Sequence, residues 1–253
     1  MSARPPHHRG FSLIELMASM TIGSIILLAA VALLGSSGDG YERVGGGVAT
    51  EREARALITQ LASDLSTAIF RKDAVFKKST TAWPADRLGF LSLQPAGAQS
   101  DSGRIGDLCA VHYYVKDLTI NGKSVRCLMR GFRESKDTFK ALQDGSVSPL
   151  FAQRKDIDEP VAFGIVSFEA RPQARDKSGL WTAWLENDET GPEALDVRLV
   201  IVRRGLAARL KLPADWDGAG TAGNMLGKPA EAARNKDLET YGTLIRFGND
   251  ETR

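Results

Sequence analysis

With two cysteines and three histidines in 253 residues, the chain has little material for the commonest reactive sites. Cys109 and Cys127 are too few for a disulfide scaffold, and no cysteine–histidine spacing suits tetrahedral zinc. His7 and His8 fall in the first ten residues, which leaves His112 alone in the rest of the chain, inside a strand-like run. A single histidine so placed is far more often structural than catalytic. No Gly-x-Ser-x-Gly elbow occurs. Gly122-Lys123-Ser124 echoes the end of a phosphate loop, but Asp117 stands where that motif needs its first glycine. The net charge is only +2, too small to suggest a nucleic-acid binder. Without Arg4 and Arg9, the two charges of the first ten residues, basic and acidic residues balance. No catalytic residue, cofactor or metal is assigned.

Two acidic clusters remain: Asp156, Asp158 and Glu159, and Glu186, Asp188 and Glu189. Such oxygens could hold calcium, but neither cluster has the glycine turn and distal glutamate of a calcium loop. Both read as solvated acidic loops. The cysteines flank Asn121-Gly122, a strong hairpin signal. A two-residue turn there pairs Ile120 with Lys123 and sets Cys127 opposite Lys116, so the two thiols point to opposite faces. A longer loop or a bulge would still allow a bridge.

From Leu16 to Gly38 there is no charged residue, and Leu16 to Leu34 is almost wholly apolar. As a helix that run spans about 28 Å, close to the hydrocarbon thickness of a bilayer. The basic leader before it predicts that the N-terminus stays in the cytoplasm and the bulk of the chain crosses. A secretory signal cut after Ala32 and a plain signal anchor both fit the run. Neither explains Glu15, a lone acid at its mouth, where a membrane penalises charge.

The stretch GFSLIELM, residues 10–17, resembles the prepilin signature of type IV pilins and type II secretion pseudopilins. The resemblance implies that prepilin peptidase cuts between Gly10 and Phe11 and that Phe11 is then N-methylated. It also implies that Glu15 pairs with the Phe11 amine of a neighbouring subunit in a fibre. A buried carboxylate is costly alone and tolerable when paired, so such a pair sets register more than stability. The expected partners are the peptidase, other pilins or pseudopilins and the lipid bilayer. The expected location is a bacterial inner membrane, crossed once, with the C-terminal domain in the periplasm.

The expected organisation is a leader over 1–10, a transmembrane and assembly helix over 11–34, and a Gly-rich join over 35–49. An amphipathic helix over 50–70 and a β-rich domain over 71–253 follow, the latter with a loop at 213–238. Glycine at the density of 35–47 disfavours a continuous helix, at roughly 1 kcal/mol per residue against alanine. Thr50 and Glu53 form a capping-box signature. Ala54, Leu57, Ile58, Leu61, Ala62, Leu65, Ala68 and Ile69 then make one apolar face. Strands are expected over 88–93, 108–116, 124–132, 161–170, 181–185, 196–203 and 243–247. Trp181 and Trp184, three apart, do not share a strand face. The fold class is α+β and pilin-like, with helix packed on a largely antiparallel sheet.

The order of hairpin, VAFGIVSFEARP strand, SGLWTAWLE segment and ALDVRLVIVRR strand resembles the J-type minor pseudopilin of type II secretion. Gly191-Pro192 fits the short loop entering the last strand, whereas the Gly-rich join and the loop at 213–238 depart from the pattern. The resemblance implies a structural subunit of a secretion pseudopilus. A minor pilin of a type IV pilus or a DNA-uptake system is the near alternative. A membrane-anchored envelope enzyme or binding protein is the distant one.

Overall fold

The structure, a computed structural model, describes residues 13–69, 74–154, 156–185 and 191–247; for 15, 32–47 and 49 the backbone alone is described. The chain forms two compact units, residues 1–47 and 48–253. One helix, α1 (Leu13–Ser66), supplies the described part of the first and opens the second. The stretch 35–49, expected as a break, is helical throughout. Each glycine there weakens the helix, but continuing a helix already formed needs no new nucleus. The boundary between units still falls at the end of this stretch, after Gly47. Thr50 therefore lies inside a continuing helix rather than at its start, and the Glu53 carboxylate accepts the Phe163 main-chain N–H at 2.6 Å.

In the second unit α1 buries Ala54, Leu57, Leu61, Leu65 and, just past its end, Ala68. Three- and four-residue spacing stacks these side chains on one face, and each buried leucine contributes about 1.5–3 kcal/mol. They pack against two antiparallel sheets rather than the single one expected. The first sheet holds β1 (Ala68–Ile69), β2 (Val75–Lys77), β3 (Arg87–Leu93), β4 (Leu108–Ile120), β5 (Lys123–Arg133) and β6 (Glu159–Phe163). The second is ordered β10 (Leu238–Arg246), β9 (Ala194–Val202), β7 (Ile165–Arg175), β8 (Trp181–Ala183). The expected strand 161–170 is split by Gly164, whose φ of +71° favours glycine. That turn carries the chain from one sheet to the other.

The β4–β5 hairpin follows the expected register: Ile120 faces Lys123, and Lys116 faces Cys127. Asn121 and Gly122 both have positive φ, as a tight hairpin turn requires. Cys109 and Cys127 are free thiols, pushed by burial up to about 11 and about 12. A short helix, α2 (Ser135–Gln143), and the turn Ser148–Phe151 cover the other side of the first sheet, burying Leu91, Ala110, Leu150 and Phe151.

The segment 213–238, expected as a loop, is an ordered cover. Together with α3 (Arg204–Ala207) just before it, its short helix α4 (Pro213–Trp216) and two 3-10 turns place Leu206, Leu210, Trp216, Leu226 and Ala232 over the outer face of the second sheet. Asp215 organises it, accepting the main-chain N–H groups of Lys211, Leu212 and Ala222. These bonds hold its carboxyl below the usual range. The Trp216 indole donates to Ser124 O at 3.0 Å and so pins the cover to the hairpin.

Candidate functional site

In the first unit, every described side chain from Leu13 to Val31 is exposed. Leu13, Ile14, Leu16, Met17, Met20, Ile22, Ile25 and their neighbours point all round α1, the large ones between 55% and 77% exposed. A helix apolar on all sides belongs in a core or a membrane, and a patch this size is not left bare in water. Its hydroxyls are satisfied from within. Ser19 donates to Leu16 O, Thr21 to Met17 O and Ser24 to Met20 O, at 2.8–2.9 Å. Internal pairing of this kind lets polar groups enter a medium without water. Among the described residues no helix is long and apolar enough to cross a membrane.

Two buried carboxylates of the second unit, Asp64 and Asp158, are each held by an arginine. Asp64, near the end of α1, receives two bonds from Arg130 at 2.8 and 3.0 Å, the Tyr113 hydroxyl at 2.5 Å and the Gln94 amide at 3.1 Å. One carboxylate thus ties the helix to β4 and β5 and to the residue after β3. Burial pulls the Arg130 guanidinium down, but its bonds to Asp64 outweigh that and raise it. Asp158 receives Arg133 at 2.7 Å, the Tyr114 hydroxyl at 2.8 Å and the Arg154 N–H at 2.7 Å. It is a structural anchor rather than the solvated acid expected; the second acidic cluster, 186–189, lies outside the described residues.

His112 sits beside that anchor, its Nε2 3.4 Å from Asp158 and its ring stacked on Tyr114. Gly131, opposite it, leaves room for the ring, because a Cβ there would fall 1.8 Å from His112 Cε1. Burial lowers the imidazole to about 4; Asp158 opposes that shift while Arg133 and Arg87 reinforce it. The unfolded chain, near 6.5, therefore takes up a proton first. Stability is fully present above about pH 6.5 and falls as the pH drops toward 4, by about 3 kcal/mol. Denaturant midpoints measured from pH 7.5 to 4.5 are expected to show that slope, and His112→Leu is expected to flatten it. A wild-type curve as flat as the variant's would contradict a buried neutral histidine.

A cleft of about 430 Å³ lies near both anchors, lined by Arg130, Arg133, Arg154, Glu134, Asp137 and Glu159 among others. Arg130 and Arg133 are already committed to Asp64 and Asp158, and the lining is charge-balanced. Among the described residues no three His, Cys, Asp or Glu side chains are placed to hold a metal ion. Among the described residues that line this cleft none pairs a nucleophile with a base.

The decisive likeness lies at the other end of the chain. Residues 5–31 match the family model of the prokaryotic N-terminal methylation motif. The chain carries the class III signal peptide of the type IV pilin and pseudopilin family. No curated protein matches it. The motif implies processing by prepilin peptidase and assembly with other pilins. Of the prepilin residues named from sequence, Gly10 and Phe11 lie outside the described residues, and Glu15 is described by its helical backbone alone. The Asp64 and Asp158 anchors were missed, because a buried ion pair has no local sequence signal: Asp64 and Arg130 are 66 positions apart.

Proposed function

We propose that this chain is a minor pseudopilin-like structural subunit of a type II secretion system, which catalyses no reaction itself. Prepilin peptidase cuts between Gly10 and Phe11, Phe11 is methylated, and Glu15 pairs with a neighbour's Phe11 amine during assembly. The N-terminal helix holds the subunit in the inner membrane, with 48–253 on the periplasmic side, until it packs among other subunits. The observation that carries this reading is the methylation motif joined to a helix exposing apolar side chains on every side. Lipid and neighbouring helices are the two surroundings that would cover such a helix. The order of the β4–β5 hairpin, β7, the Trp181 strand and β9 supports the secretion subtype.

Substituting the residue before the cut tests it. Gly10→Ala is expected to leave most of the chain with its leader attached, visible as a slower band on a gel of membrane protein. Normal processing of that variant would contradict the cleavage assignment.

A further inference from the structure

The two sheets end in edges of unequal protection. In the first sheet β6 has five residues, includes Pro160 and gives the Phe163 N–H to Glu53. Among the described residues its opposite rim holds β1 and β2, of two and three residues. In the second sheet β8 has three residues. The rest of that side of β7 is covered, since Asp86 N–H donates to Phe168 O and Phe168 N–H to Pro84 O. Such short, prolyl or covered edges resist pairing with another chain.

Among the described residues the β10 edge has none of these devices. It runs nine residues, pairs with β9 over its whole length, and carries no proline or lysine. Phe247 N–H donates to Glu193 O and Arg203 N–H to Asp237 O. The odd-numbered residues therefore bond β9, and Thr240, Gly242, Leu244 and Arg246 turn their main-chain groups outward. All four residues are exposed, and none of these outward groups has a partner among the described residues. At the end of this rim the Arg246 guanidinium lies 5.6 Å from the Trp181 ring centre, which Arg175 approaches at 4.9 Å. Among the described residues Arg246 makes no ion pair.

We infer that the β10 edge takes an extended segment of a different subunit as an added strand, with an Asp or Glu placed to meet Arg246. Main-chain bonding supplies the affinity in this mode and side chains supply the choice of partner. A second copy fits poorly. None of the outward residues Thr240, Gly242, Leu244 and Arg246 is acidic, so antiparallel pairing with the same edge of a second copy gives Arg246 no carboxylate opposite it in any register. The inference rests on the assembly reading above and names the kind of partner.

Residue-resolved amide exchange on the full chain tests it, comparing detergent-purified protein with native membranes. The Thr240, Gly242, Leu244 and Arg246 amides are expected to exchange fast when purified and about 100-fold slower in membranes. Tyr241 and Thr243 should be slow in both. Arg246→Glu and, separately, Leu244→Pro, which removes an outward N–H, should each abolish the gain. The first keeps the test open if the second does not fold. Equal exchange in both samples overturns the inference. So does the same protection in the purified chain at high concentration, which would indicate a second copy, or on protein-free anionic vesicles, which would indicate lipid. The N-terminal residue of the same membrane sample reports on the assembly reading separately: a start other than Phe11 sinks that reading, while the amides still decide the edge.

Discussion

Replacing Asp64 by alanine is expected to cost the 48–253 unit about 3 kcal/mol, because a buried ion pair is broken from one side. The Arg130 guanidinium keeps its charge and loses both its carboxylate bonds, while Tyr113 and Gln94 each lose an acceptor. Asp64 is 1% exposed and the Arg130 side chain 19%, so water reaches the orphaned groups only from the cleft that Arg130 lines, which keeps the expected cost at the low end for a broken buried pair. Asp64→Asn should cost less, since the amide oxygen still accepts from Tyr113. The double variant Asp64→Leu with Arg130→Met should recover much of the loss, since an apolar pair of similar volume replaces two desolvated charges. Denaturant unfolding of the full chain in detergent measures all three. An alanine variant within about 0.5 kcal/mol of wild type, the range of an ordinary surface change, would contradict the anchor.

Glu15→Ala is expected to leave processing at Gly10 largely intact and yet to be depleted from the assembled fibre, with incorporation falling about tenfold. That factor corresponds to about 1.4 kcal/mol of lost pairing. The two halves separate the proposed roles: processing that would need only the cut site, and assembly that would need the charge. Cleavage read by mobility and incorporation read in sheared fibres give the two numbers. A variant that assembles as well as wild type would end the charge-pair account.

Periodicity was legible wherever one face of an element meets the core. The spacing of Leu57, Leu61 and Leu65 marks the buried face of α1, and Asn121-Gly122 sets the hairpin register to the residue. What the chain does at Gly164 was not legible. A single glycine within an apolar run looks like a weak point in one strand, and only its positive φ makes it the passage between two sheets. The segment 213–238 misled for a related reason. Its few large apolar residues suggest a loop, yet Trp216 and Leu226 with one carboxylate, Asp215, suffice to order it. Glycine density misled over 35–47, where propensity counts residues singly and a helix already under way does not. At the candidate site the motif was fully legible because its chemistry is local: a glycine, an aromatic and an acid within six residues.

The most direct test of the assembly account is the mass of the N-terminal peptide of the chain recovered from its native membrane. The account predicts a peptide beginning at Phe11 and heavier by one methyl group. A peptide beginning after Ala32, or one retaining residues 1–10, would contradict it and leave Glu15 without a role.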